Sequence, residues 1–179
     1  MKLAVVAFPS FDDADRQWIE SFRTKHDPQV ARIGVHFTLV FPLEASPEDV
    51  GPEIATAAQS AAPIAFTVRR AEAIADAFGH GSHVFLVPDE GAAQISALHD
   101  RLYAGTLRAH HRSDIPFVPH MTVGTAPDSA SALILATRLD VRARSVRGTV
   151  DALDLVDVEP PWVRSMATYQ LTGEHTRIR

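Results

Sequence analysis

Along the chain, stretches in which apolar and polar residues alternate at every second position are interspersed with stretches whose apolar residues recur every three or four. The first period is that of a strand with one buried face, the second that of a helix with a buried stripe. Leu3 to Phe8 opens as a strand. Ser10 is placed to cap a helix over about Phe11 to Lys25, with Asp13 three residues on and Ala14, Trp18 and Phe22 spaced four apart on one face. Val35 to Phe41 reads as a second strand. Ser46-Pro47-Glu48-Asp49 then supplies a cap, a proline at the first helical position and acid in the first turn, ahead of an apolar stripe of Val50, Ile54, Ala57 and Ala61 that Gly51-Pro52 weakens at its start. The runs Ile64 to Val68, Ala71 to Ala75 and Val84 to Val87, with the turn Phe78-Gly79-His80-Gly81-Ser82 before the last, predict an antiparallel hairpin. Asp89 is placed to start a helix striped by Ile95, Leu98 and Leu102. A polar loop leads to a strand over His120 to Thr125, Asp128 caps a short helix through Leu139, and strand-like runs Ser145 to Val158 and Met166 to Leu171 follow, joined by Glu159-Pro160-Pro161-Trp162.

The order is a rough duplication: strand, helix, strand, helix, then strands, helix, strand, helix, strands. No linker or low-complexity tract divides the chain, so residues 1–179 are expected to form one domain of two similar halves, and 46% apolar content suffices for its core. Two strings make the duplication chemically interesting. His36-Phe37-Thr38-Leu39 and His120-Met121-Thr122-Val123 both read His, apolar, Thr, apolar, 84 residues apart. On a strand, His36 and Thr38 share one face while Phe37, Leu39 and Phe41 take the other, and His120 and Thr122 repeat the arrangement against Met121 and Val123. With 9 His and 12 Thr in 179 residues, chance alone gives roughly 0.6 His-x-Thr strings, so the strand framing carries the signal. His111-Arg112-Ser113, in a polar loop, lacks that framing. Pro119, with its fixed φ and no donor, suits the first residue of a strand.

An imidazole titrates near pH ~6.5, so of two histidines facing one cleft, one can take a proton while the other gives one. That is the requirement of displacement at phosphorus, and the hydroxyls of Thr38 and Thr122 can donate to its non-bridging oxygens. The scheme calls for no metal and no cofactor. Net charge −5 and pI near 5.9 argue against broad attachment to nucleic acid or an anionic membrane. The absence of Cys excludes disulfides, thiol catalysis and Cys-ligated zinc, and fits a reducing cytosol. The apolar start of the chain is too short for a span and lacks a cleavage site. No Gly-x-Ser-x-Gly elbow, phosphate loop or dinucleotide fingerprint is present.

The paired motifs, their spacing, the Phe117-Val118-Pro119-His120 approach and the order of elements resemble the two-histidine (2H) phosphoesterase superfamily, which includes bacterial 2′-5′ RNA ligases and 2′,3′-cyclic phosphodiesterases. The resemblance spans most of the chain. It implies an α+β fold of two pseudo-twofold-related lobes of antiparallel sheet plus helices around a central cleft. It also implies His36 and His120 as catalytic acid and base, and Thr38 and Thr122 as phosphate holders. The implied chemistry opens a 2′,3′-cyclic phosphate with water, or joins it to a 5′-hydroxyl. The acidic balance and 7% aromatic content favour a nucleotide-sized or tRNA-end substrate over a long RNA. Candidate contacts for it are Arg112 before the second motif, Phe85 on the neighbouring strand and His83 beside the glycine turn. A cytoplasmic monomer with no membrane and no DNA partner is the corresponding expectation. The rival reading is a non-catalytic module that binds a nucleotide or RNA end in the same cleft.

The remaining conspicuous residues take plainer readings. His80-Gly81-Ser82-His83 and His110-His111 read as solvated turns, and His99 as a residue at the edge of a helical stripe. Trp18 has core spacing, and Trp162 is open between core and base stacking. Arg69-Arg70, Arg142, Arg144 and Arg147 read as a solvated basic face.

Overall fold

The computed structural model describes residues 1–76, 79, 81–139, 145–159 and 161–174. Phe78, His80, Arg142, Arg144 and Pro160 therefore lie outside the described residues. One antiparallel sheet of nine strands runs through the molecule, in the order β2-β7-β4-β5-β6-β3-β1-β8-β9. Its strands are β1 Lys2–Ala7, β2 Ser10–Phe11, β3 Phe37–Glu44, β4 Ile64–Ala75, β5 Ser82–Glu90, β6 Met121–Ala126, β7 Val146–Val150, β8 Ala152–Asp157 and β9 Arg164–Gln170. Among the described residues four α-helices accompany them, α1 Asp13–His26, α2 Pro47–Gln59, α3 Ala92–Leu102 and α4 Ser129–Leu139, with a short 3-10 helix over Thr106–His110.

The sheet is a doubled arrangement about its middle. The strands leading from the two motifs, β3 and β6, are neighbours, and outward from them β1 and β8 on one side answer β5 and β4 on the other. The chain crosses between the halves four times, from β1 to β2, from β2 through α1 to β3, from β3 through α2 to β4, and from β7 to β8. Where the first and last crossings meet, Ser10 Oγ donates to a carboxylate oxygen of Asp151 at 3.0 Å and lies 3.3 Å from the Thr149 carbonyl. This explains two departures from the sequence reading. Ser10 does not cap α1, because its hydroxyl is engaged at the crossing and its backbone pairs with Thr149; Asp12 caps α1 instead, its side chain accepting from the Asp15 amide at 2.7 Å. Ser145 to Val158 is not one run, because Asp151 interrupts it and sends β7 to β4 and β8 to β1.

Other local expectations meet their structure more directly. Ser46 caps α2, with Pro47 in its first turn, and Asp128 accepts from the Ser131 amide at the start of α4. The hairpin is present, with β4 a single strand across both expected runs, since Arg69 and Arg70 between them stay in extended backbone. Asp89 does not start α3. It remains in β5, accepting from the Arg69 amide, and Gly91 caps the helix at φ 84°, where an added Cβ would meet the Ala65 carbonyl and Phe66. His99 is buried inside the expected α3 stripe, and not at its edge.

The core side of the central strands is packed by Phe37, Leu39, Met121 and Val123, all at most 1% exposed, so the alternate residues Thr38 and Thr122 fall on the opposite, accessible face. The buried face of α1 is Asp15, Ile19 and Arg23, one position round from the expected stripe; Trp18 and Phe22 pack at its margin and Ala14 is exposed. The rotation is set by Arg23, whose guanidinium is 1% exposed. Its Nε donates to Asp27 at 2.9 Å, one terminal nitrogen to Glu20 at 2.9 Å and the other to the Ile33 carbonyl at 2.7 Å. Asp27 also accepts from the Gln29 amide. The buried pair thus clamps the 28–36 loop that delivers His36.

Two stability changes follow. Phe37→Ala, which empties a fully buried site beneath both motifs, is expected to cost about 3–5 kcal/mol in urea denaturation. Arg23→Ala leaves Asp27 buried and unpaired and is expected to cost about 3–5 kcal/mol, with near-complete recovery of stability in the double variant Arg23→Met/Asp27→Leu if the pair's role is confined to stability.

Candidate active site

β3 and β6 touch at one described backbone pair, Phe37 opposite Met121. In that antiparallel register His36 stands across from Thr122, and Thr38 from His120, so the four side chains form a two-by-two array on the accessible face. The histidines sit immediately before their strands, one residue outside the regular ladder. Both are half-buried.

Their ring geometry is matched. His36 Nδ1 lies 2.8 Å from the Gly34 carbonyl and His120 Nδ1 lies 2.6 Å from the Val118 carbonyl, in each case two residues back. A carbonyl only accepts, so each Nδ1 carries its proton and donates, which leaves Nε2 of each ring as the atom that gains and loses a proton. Burial pushes both imidazoles below their ordinary value. The nearby Arg23 guanidinium adds to this at His36, and the facing His36 and His83 rings add to it at His120. The hydroxyls of Thr38 and Thr122 make no hydrogen bond to another group among the described residues.

Two basins open from the array. One, of about 510 Å³, is lined by His36, Thr38 and Thr122 and by polar groups that include Arg23, Asp27, Gln29, Arg32 and Thr125, with Ala4, Val6, Val158 and Val163 on an apolar side. The other, of about 530 Å³, is lined by His120 and Phe85 and is mostly apolar: Phe41, Ile74, Ile115, Phe117 and Val118 contribute. Lys2, Phe41, Pro42 and His83 border both, so they are two ends of one cleft.

The three further candidates from the sequence all reach this cleft, in different capacities. Phe85 stacks on His120 with ring centroids 3.7 Å apart and planes at 20°, so its face is taken by the imidazole. His83 continues the column, its centroid 5.6 Å from that of Phe85, and its Nε2 is 3.4 Å from an Asp76 carboxylate oxygen. Arg112 lines the apolar basin but is bound in two-point fashion by Asp114 at 2.8 and 2.7 Å, which holds the Asp114 carboxyl down to about 2. Other plain readings also resolve. Arg69 pairs with Glu90, and Arg70 with Glu72, at the surface, and Trp162 is 67% exposed.

Several residues that shape the site went unnoticed in the sequence. Arg23 and Asp27 carry an i,i+4 signal that could have been read; Lys2 and Arg32 carry none. Tyr103, which closes the α3 segment, also went unnoticed, and His99 was read only as a residue at the edge of a stripe. His99 Nδ1 donates to the Leu39 carbonyl at 2.8 Å, and the Tyr103 hydroxyl accepts from the Phe41 amide at 3.2 Å. They satisfy backbone groups of β3 beyond its one pair with β6. The His99 ring also stacks on Phe117 at 3.7 Å and 6°, so the wedge touches the approach to His120 as well. Among the described residues no three His, Asp or Glu side chains are grouped to hold a metal ion, and no helix is long and apolar enough to cross a membrane.

Comparison with known proteins bears on the fold and the family. In solved structures the fold recurs in TT0787 of Thermus thermophilus (TM-score 0.63, 21% identity, 98% of this chain and 100% of that one) and in apo LigT of E. coli (TM-score 0.59, 21% identity, 96% and 97%). A Bacillus pumilus protein named "Putative phosphoesterase" is 31% identical over 160 residues, 87% of this chain and 88% of its own, and a Bacillus licheniformis protein of like name is 26% identical over 160 residues, 87% and 89%. The sequence model of the 2′-5′ RNA ligase superfamily matches residues 11–160, a span that contains both motifs and all four of the helices α1 to α4. The chain belongs to the 2′-5′ RNA ligase superfamily, the phosphoesterase group that its paired His-x-Thr motifs resemble.

Proposed function

We propose that this cleft opens a 2′,3′-cyclic phosphate on a nucleotide or RNA end by acid–base catalysis between His36 and His120. The observation that carries the reading is the matched pair of Nδ1–H bonds to the Gly34 and Val118 carbonyls, which leaves two proton-exchanging Nε2 atoms beside two uncommitted hydroxyls. In the forward direction one neutral imidazole takes a proton from water as its oxygen bonds to phosphorus. The phosphorus–O3′ bond breaks, the other, protonated imidazole gives its proton to O3′, and a 2′-phosphate remains. Thr38 and Thr122 donate to the non-bridging oxygens and hold the group in line. The histidines end with their protonation states exchanged, so the same array runs in reverse, and a 5′-hydroxyl in place of water would form a 2′-5′ linkage. The apolar basin beside His120 offers a nucleobase a dry surface, with Phe117 and Ile115 on its walls. Structures of E. coli LigT in complex with 3′-AMP, NADP+ and ATP support nucleotides as ligands for a cleft of this architecture.

Product analysis of a 2′,3′-cyclic nucleotide incubated with the protein in EDTA tests the proposal. Release of the 2′-phosphate is expected, with His36→Ala and His120→Ala each lowering kcat by about 10²–10⁴-fold. Thr38→Ala and Thr122→Ala are expected to cost on the order of 10²-fold. Full activity in both histidine variants would overturn the mechanism. Tight binding of nucleoside monophosphates with no turnover of any cyclic phosphate would favour a binding module.

The lowered imidazoles set the pH dependence. Catalysis needs one ring neutral and one protonated, and with both pulled below about 6.5 the free protein at neutral pH holds both neutral and lacks its acid. The profile of kcat/KM is therefore expected to be a bell whose maximum lies below pH ~6.5, falling as pH rises because the acid is lost and falling at lower pH because the base is lost.

A further inference from the structure

We propose that Lys2 forms a second phosphate site, which binds a phosphate ester one ribose away from the cyclic phosphate that the paired motifs hold. The inference rests on the nucleotide reading above and adds to it the anionic group on the 5′ side of the same nucleoside.

The placement of Lys2 follows from strand alternation. Leu3, Val5 and Ala7 of β1 are in the main core, while Ala4 and Val6 belong to a separate small apolar cluster that lines the cleft. Lys2 shares that second face and borders both basins. In the β1–β3 register Val6 stands opposite Thr38, and Lys2 opposite Glu44. Lys2 is thus four residues along β1 from the Thr38 row, about 13 Å of strand. A lysine stem reaching back over Pro42 covers part of that distance. The remainder separates Lys2 from a group held between Thr38 and Thr122, so its ammonium serves an anion displaced toward the seam of the two basins, on the 5′ side of a nucleoside whose base is in the apolar one.

The charge balance of the cleft points the same way. Arg23 is neutralised by Glu20 and Asp27, and Arg112 by Asp114. Lys2 makes no ion pair among the described residues, and neither does Arg32, whose Nε donates to the Pro161 carbonyl at the far rim of the polar basin. On a protein of net charge −5, a free ammonium at the seam of the two basins is a local attraction for an anion that the rest of the surface repels. Glu44, opposite Lys2 in the β1–β3 register, is paired with the N-terminal ammonium, and three further carboxylates line the basins that Lys2 borders: Glu72, paired with Arg70, Asp76, which bonds His83, and Glu159. Their presence selects a ligand that the base and ribose have already anchored, rather than free phosphate.

Calorimetric titration of the whole chain with three probes tests the site: adenosine 2′-phosphate, adenosine 2′,5′-bisphosphate, and an adenylyl dinucleotide ending in a 2′-phosphate. At low salt the two probes carrying the extra phosphate are expected to bind about 5- to 10-fold more tightly than the monophosphate. The advantage is expected to shrink in 0.5 M salt, to fall to within about twofold in Lys2→Gln, and to persist in Lys2→Arg. A larger gain for the bisphosphate identifies a terminal phosphate as the natural ligand, and a larger gain for the dinucleotide identifies a chain end. Equal binding of all three probes by the wild type, or an advantage that survives Lys2→Gln, would overturn this proposal alone. Failure of any probe to bind would overturn it together with the nucleotide reading on which it rests. Lys2 is exposed at a strand end, so circular dichroism and thermal melting of both variants should match the wild type and exclude misfolding as the cause.

Discussion

The cleft depends on how little β3 and β6 touch. Strands that paired along their length would lay the two motifs in a flat ladder, with each histidine fixed opposite the other motif's threonine and no cleft opening beside them. Here the two half-sheets meet at Phe37 and Met121 and then part. The single pair is close enough to bring His36, Thr38, His120 and Thr122 onto one face and to leave each histidine outside the ladder, where its Nδ1 turns back to a carbonyl of its own loop. Parting strands expose backbone groups that must be satisfied, and α3 supplies the partners: His99 for the Leu39 carbonyl, Tyr103 for the Phe41 amide. The same wedge touches Phe117 and so sets the approach to the second motif. The separation of the lobes and the orientation of the histidines are therefore one packing problem with one solution.

The two halves are alike in chemistry and unlike in setting. His36 stands near a buried guanidinium and opens onto polar groups, while His120 rests on the face of Phe85 and opens onto an apolar basin. Burial lowers both imidazoles, and in the proposed mechanism an anionic phosphate between them would help one ring keep the proton that makes it the acid. On that mechanism substrate charge and catalytic protonation are coupled, and the asymmetry of the basins would give a nucleoside one preferred direction across an otherwise symmetric array.

Much of this was legible from the residues. The alternation around both motifs placed His36 and Thr38, and His120 and Thr122, on faces opposite Phe37 and Met121, and the caps at Ser46 and Asp128 carried local signatures strong enough to mark α2 and α4. The failures have a common cause, which is that a competing tertiary contact outranked a local one. Ser10 is a good cap by type, yet the crossing at Asp151 engages its hydroxyl. Asp89 is another, held in β5 by the Arg69 amide. Arg23 looks like a surface residue of a helix and becomes the most buried cation of the site, because Glu20, Asp27 and the Ile33 carbonyl between them engage all three of its guanidinium nitrogens. The i,i+4 spacing of Asp27 was readable, but local pattern reports neither the Ile33 carbonyl, 10 residues from Arg23, nor Asp151, 141 residues from Ser10.

The measurement that bears most directly on the account is the pH–rate profile of kcat/KM for a 2′,3′-cyclic nucleotide in the wild type and in the two variants His36→Ala and His120→Ala, measured at enzyme concentrations that recover their residual rates. If the two imidazoles act as acid and base across one phosphate, the wild-type bell should lose one limb in the first variant and the opposite limb in the second. Loss of the same limb in both, or a full bell in either, would contradict it.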